Sequence, residues 1–231
     1  NPGILLLLKD DSTDAFLQAA GAKFNGAPVG TMLTEAVENS MAHSVGVLTG
    51  AGAEVLTGGA RGGGNGFSFQ NTLLKVDGAT FLSNAEALQE EAFGNESLAI
   101  VADDMDQAVE VARHFEGNLT GCIYTDAEGA DESHYRRIEP VLRKKVGRLL
   151  NDKMPTGVAV VPAMNHGGPY PATGHPGFTA VGLPASISRF AMLACYDNVR
   201  QHRLPAELRD QNPSGRVWRL IDGGWTQGDV G

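Results

Sequence analysis

Two carboxylates, an aromatic ring and a glycine stand together in Glu90-Glu91-Ala92-Phe93-Gly94-Asn95, directly before an apolar run. A glutamate so placed has two readings. It is a solvated loop side chain, or it accepts hydrogen bonds from a ribose diol while the ring two residues on packs against a flat heterocycle. Spacing does not decide between them. The glycine-rich stretch GGARGGGNG, Gly58 to Gly66, invites comparison with a phosphate cradle, which needs a strand before it and a helix N-terminus after it. The segment on its C-terminal side, FSFQNTLLKV, reads as extended chain, so a flexible loop is expected there. Cys122 and Cys195 lie among apolar residues with no local cation to activate a thiol, and both are expected to be buried and structural. His166 and His175 share a Gly/Pro-rich segment in which no acidic residue falls between Asp152 and Asp197. A metal would lack its third ligand and its orienting carboxylates, so these histidines are expected to stabilise turns or line a substrate path.

The elements that must position these residues are set by hydrophobic period. Ile4 to Leu8 is a short continuous apolar run, the pattern of a strand buried on both faces. Asp11 and Ser12 offer caps for a helix reaching about Phe24, and a second helix begins near Thr34, with Val37, Met41, Val45 and Leu48 on one stripe. AEVLTG and TLLKV read as strands. SLAIVADDMDQAVEVARHF then reads as strand, acidic cap at Asp103 or Asp104, and helix, succeeded by the strand LTGCIYT, a helix from Asp131 containing Pro140, and the strand RLLN. Alternation at this pitch predicts an α/β fold with a mostly parallel sheet flanked by helices. Beyond Asn151 the chain becomes rich in Gly and Pro, the signature of a long functional loop. A helix from Ser186 to Leu193, a strand over Ala194 to Val199, and a docking tail bearing Trp218 and Trp225 are expected after it.

The bulk composition excludes several classes. A net charge of −9 argues against a surface that tracks nucleic-acid phosphates. No apolar run is long enough to cross a bilayer, and two cysteines in 231 residues make no disulfide framework. A globular, cytoplasmic chain is expected.

EEAFGN followed by SLAIVADDMDQAVEVARHFEGNLTGCIYTDA resembles the aldehyde dehydrogenase superfamily, in which a Glu-x-Phe-Gly element precedes a strand, an acidic cap and a helix. AEVLTGGARGGGNGFSFQNTLLKV is similar to that family's glycine-rich hairpin. GRLLNDKMPTGV, HGGPYPATGHPGFTAVG and LPAELRDQNPSGRVWRLIDG resemble its ketoglutarate-semialdehyde branch, which also holds NADP-dependent fatty aldehyde dehydrogenases. The resemblance implies an aldehyde dehydrogenase catalytic domain over 1–183 that lacks its N-terminal part. It implies over 184–231 a helix, a strand and a tail for subunit contact in a homo-oligomer. It further implies NAD or NADP as cofactor and an aldehyde substrate, with Glu91 on the nicotinamide ribose and Phe93 beside the ring. Asn165, His166, Tyr170 and Pro171 are expected to line the substrate funnel. Asn95 stands where most of that superfamily has proline, which is expected to loosen the turn.

The same resemblance places the nucleophilic cysteine just upstream of Asn1, because NPGILLLL matches the sequence after the catalytic loop. The general base, the oxyanion-hole asparagine and the dinucleotide domain also fall upstream, so no catalytic residue is expected in this chain. On that expectation the chain is inactive alone and binds no cofactor tightly, and the N-terminal portion of the same enzyme is a partner. The alternative is a non-catalytic binding or assembly module that keeps the fold.

Overall fold

The computed structural model describes residues 3–154 and 161–230. The chain divides into two compact units, Asn1–Arg189 and Phe190–Gly231. The first unit is α/β. Strand β1 (Ile4–Leu8) leads to helices α1 (Thr13–Gly26) and α2 (Glu35–Gly50), then to β2 (Glu54–Thr57), β3 (Thr72–Asp77) and a short α3 (Gly78–Ser83). Strand β4 (Glu96–Ala102), α4 (Met105–His114), β5 (Asn118–Ile123), α5 (Glu132–Leu142) and β6 (Val146–Asn151) complete it.

The sheet order is β1-β4-β3-β2, with β1 and β3 both parallel to β4 and β2 antiparallel at one edge. All seven residues of β4 are buried, which is why its sequence is a continuous apolar run from Leu98 to Ala102. Successive side chains of a strand point to opposite faces. Leu98 and Ile100 therefore join Met41, Val45 and Leu48 of α2 and Val111 of α4 in the larger core, while Ala99 and Val101 meet Leu17 of α1 on the other face. β1 alternates in step, Ile4 and Leu6 to the first core, Leu5 and Leu7 to the second. Phe81 and Phe115 meet edge to face at 5.9 Å. Strands β5 and β6 form a separate parallel pair.

Local chemistry explains where helices start. Thr34 accepts from the Val37 amide at α2, and Asp104 accepts from the Gln107 amide at α4. At α1 neither expected residue caps through its side chain. Asp10 does so instead, accepting from both the amide and the hydroxyl of Ser12 and holding Thr13 Oγ1. Those bonds hold the Asp10 carboxyl below its ordinary range. Pro140 lies in the last turn of α5, where the helix ends at Leu142.

The glycine-rich loop is not free. Arg61 pairs with Phe69 across it, and its guanidinium reaches Glu38 of α2 at 2.8 Å and Asn39 at 2.7 Å. Glu38 also accepts from the Ser68 amide. Positive φ at Gly58, Gly59, Gly62, Gly63 and Gly66 turns the backbone through conformations that a side chain would resist.

The C-terminal expectations need revision. Ser186–Leu193 is no α-helix; a 3₁₀ turn covers Ala185–Arg189, and residues 190–199 contain neither helix nor strand. The apolar residues there have little to pack on: Phe190, Met192 and Leu193 are 88%, 89% and 100% exposed. Propensity without burial does not fix an element of this length. The strands of this unit lie later, in the hairpin β7 (Arg219–Ile221) and β8 (Gly224–Thr226), anchored by buried Arg219 donating to the carbonyls of Arg209, Asp210 and Gly228.

Candidate functional site

A cleft of about 1600 Å³ in the first unit is lined by β1, by the segment from Leu88 to Glu96, by β5, and by Pro171 and Ala172. The segment 90–95 enters it in a held, alternating conformation. Glu90 turns back to accept from Ser44 Oγ of α2 at 3.1 Å, and Ala92 is buried in the core. Gly94 fits closely against two methionines, since a Cβ would come within 3.0 Å of Met41 Sδ and 3.3 Å of Met32 Cε and would displace their side-chain ends by a few tenths of an ångström. Glu91 and Phe93, the residues between these fixed points, are exposed, with Phe93 at 70%. A carboxylate and a ring thus stand side by side on the cleft wall, able to accept two hydroxyl protons and to cover a planar ring.

Asn95 does not loosen this turn. Its amide donates to the Phe69 carbonyl at 2.7 Å and to Asn71 Oδ1 at 2.8 Å. These contacts cross more than twenty residues of sequence, so no local pattern announces them.

Of the four funnel residues, Pro171 alone lines the cleft with Glu91 and Phe93; Asn165, His166 and Tyr170 do not. Asn165 is a tether, donating to the carbonyls of Gly147 at 3.3 Å and Gly167 at 3.4 Å. His166 is exposed and its amide bonds the Thr179 carbonyl; Tyr170 is exposed and its carbonyl accepts from the Gly117 amide. The loop reaches the cleft through glycine contacts that sequence reading did not single out. A Cβ on Gly147 would sit 1.5 Å from the Gly167 carbonyl oxygen, and one on Gly168 would sit 2.1 Å from that of Asn118. Backbone lies directly on backbone there, and only glycine permits it. His175 is exposed, and among the described residues no group of three or more His, Cys, Asp or Glu side chains is placed to hold a metal.

The cysteines differ from each other. Cys122 is half-buried on the cleft, its thiol donating to the Lys153 carbonyl at 2.9 Å, whereas Cys195 is exposed rather than buried. The position of Asn1, and with it the expected neighbour of the nucleophile, lies outside the described residues.

Glu96 is the cleft residue that sequence reading missed. It opens β4, is 5% exposed, and desolvation pushes its carboxyl up to about 8. The apolar run begins only at Leu98, so a period-based reading leaves Glu96 in the loop.

Comparison with known proteins places these features in a lineage. The profile of the aldehyde dehydrogenase family matches residues 10–162, well over half of the chain. An alpha-ketoglutaric semialdehyde dehydrogenase of Azospirillum brasilense is 36% identical, with the match covering 96% of this chain and 42% of that protein. Another from Acinetobacter baylyi is 32% identical, covering 98% of this chain and 42% of its own length. The chain thus spans less than half the length of these curated relatives. Among solved structures, a betaine aldehyde dehydrogenase of Staphylococcus aureus in complex with NAD+ superposes with a TM-score of 0.62 at 16% identity, over 81% of this chain and 37% of that one. Lactaldehyde dehydrogenase from Escherichia coli gives 0.56 at 19% identity, over 72% and 34%. At those identities the structures speak for the fold, and they agree with the α/β architecture built above. Together with the ordered motifs around Glu91 and Phe93, the profile match establishes that this chain belongs to the aldehyde dehydrogenase family.

Proposed function

We propose that this chain supplies the cofactor-facing wall of an NAD(P)-dependent aldehyde dehydrogenase that oxidises a semialdehyde, of the ketoglutarate semialdehyde class, to a carboxylate. The observation that carries the proposal is the outward pairing of Glu91 and Phe93 on a cleft that β1 also lines. Glu91 accepts hydrogen bonds from the nicotinamide ribose hydroxyls, and Phe93 packs beside the ring. Pro171 lines the aldehyde path, while Asn165 fixes the loop that presents Pro171, and His166 and Tyr170 flank it.

In this reading the thiolate that attacks the aldehyde, the base that hydrolyses the thioester and the dinucleotide-binding domain belong to the portion of the relatives that this chain does not span. That portion is its partner, and the chain alone turns over no substrate. The free edge of β1 and the apolar wall of β5 on the same cleft suit such a partner. The apolar residues exposed in Phe190–Gly231 suit contact between copies in a homo-oligomer, and two cysteines with no disulfide suit the cytoplasm.

The test is to combine the chain with the corresponding N-terminal portion of a relative and follow NAD(P)H formation from a semialdehyde. Activity in the mixture, absence of activity in either part, and a raised cofactor KM in Glu91→Gln and Phe93→Ala are expected. Demonstrated association with no activity, or an unchanged cofactor KM in both variants, overturns the reading. The second reading, an assembly module without catalysis, is favoured by the exposed tail residues. It predicts a stable oligomer with no cofactor affinity even when the N-terminal portion is bound, which cofactor titration and size-exclusion chromatography resolve.

A further inference from the structure

We propose that Asn95 and Asn71 are a positioning pair that sets how Glu91 and Phe93 project, by tying their segment to the end of α1 and to the close of the glycine-rich loop. The inference rests on the cofactor-facing role proposed above for those two side chains.

The hydrogen bonds leave the pair little freedom. Asn95 Nδ2 uses both of its hydrogens, on the Phe69 carbonyl and on Asn71 Oδ1. Asn71 Nδ2 uses both of its own, on the carbonyls of Phe24 and Ala27, each at 3.0 Å. The Asn95 carbonyl accepts from the Thr72 amide at 2.9 Å, where β3 begins. Rotating the Asn95 amide would set its oxygen against the Phe69 carbonyl, two acceptors facing each other, so the network has one orientation.

Each contact satisfies a group that needs a partner. The carbonyls of Phe24 and Ala27 lie at the C-terminal end of α1, where helical bonding runs out. Phe69 is itself 2% exposed and sits in the larger core. The pair therefore joins a helix end, a buried loop closure and the start of β3 at one point, immediately after Gly94. Glu90 is held on the other side by Ser44. Glu91 and Phe93 lie between these two fixings and have no comparable side-chain bonds of their own among the described residues, so their direction is set by the fixings. A proline at position 95 would restrict its own φ but would offer no side-chain donor; here hydrogen bonds across the fold do that work.

Asn95→Asp and Asn95→Ala test the pair. Asp keeps the shape but cannot donate to Phe69 or Asn71 and sets a charged oxygen against both acceptors, so it should disturb the segment at least as much as Ala does. In the chain itself, the amides of Glu90, which donates to the Ala87 carbonyl, and of Thr72, which donates to the Asn95 carbonyl, should exchange roughly tenfold faster in both variants, with α5 unchanged. Exchange within about twofold of wild type in both overturns the proposal. In the enzyme assembled with its N-terminal portion, both variants should raise the cofactor KM roughly fivefold while the aldehyde KM stays within about twofold. Adding Asn71→Ala to Asn95→Ala should raise it no further. A lowered melting temperature with both KM values unchanged assigns the pair to folding alone and also overturns the proposal. If the wild-type assembly makes no NAD(P)H, the functional reading fails by itself, and the exchange result still decides whether the pair holds the segment.

Discussion

Replacing Glu96 with Gln should make the protein more resistant to alkaline conditions. Glu96 is 5% exposed at the start of β4, and burial raises its carboxyl from 4.5 to about 8. Proton counts give the sign. Below about pH 4.5 the side chain is protonated in both states and contributes no pH dependence. Between 4.5 and about 8 the native state keeps a proton that the unfolded chain has released, so stability falls as pH rises, by about 1.4 kcal/mol per pH unit. Above about 8 the native carboxyl ionises too and the loss levels off. From about pH 5.5 to about pH 8.5 the wild type should therefore lose about 3 kcal/mol more than Glu96→Gln, whose amide does not titrate. Urea unfolding followed by far-ultraviolet circular dichroism at those two values measures the difference, since every other titrating group is common to both proteins. Stability curves that run parallel to within about 1 kcal/mol would show that Glu96 is ionised in the folded state and refute the reasoning.

Phe81→Ala removes a fully buried ring and its edge-to-face contact with Phe115. It should cost about 3–5 kcal/mol in the same urea assay. Asp104→Ala removes the acceptor of the Gln107 amide and should cost about 1 kcal/mol, whereas Asp104→Asn should cost a few tenths. Gly147→Ala drives a methyl group into the Gly167 carbonyl. It should cost roughly 3 kcal/mol or displace the loop that carries Pro171, seen as faster amide exchange over 164–172.

The parts of the fold legible in the sequence are those in which period and local chemistry agree. Leu98 to Ala102 is apolar throughout because β4 is covered on both faces, and Asp104 caps α4 with its own side chain. The wall residues Glu91 and Phe93 emerge through family motifs, since their spacing alone leaves a solvated glutamate equally open. The features that escape a local reading are long-range. Glu38 pins a glycine-rich loop that neighbouring residues alone would leave flexible, and Asn71 reaches Asn95 across an entire strand and helix. The loop over His166 and Tyr170 is expected from the family resemblance to offer side chains to substrate. Its seating depends instead on glycine backbone contacts that a residue-type argument does not weigh. Residues 190–199 depart from expectation for a different reason. Their apolar pattern asks for a partner surface, and the unit Phe190–Gly231 provides none for Leu193.

The two tryptophans of the chain, Trp218 and Trp225, belong to the hairpin unit and are 62% and 68% exposed. The α/β unit emits no indole light at all. Intrinsic fluorescence will report a solvent-relaxed, red-shifted band from the native state, and it will change little when the sheet melts. A dye or inserted indole near β4 is needed before an optical titration speaks for the α/β unit, whereas quenching of the native band is a ready monitor of anything that covers the tail.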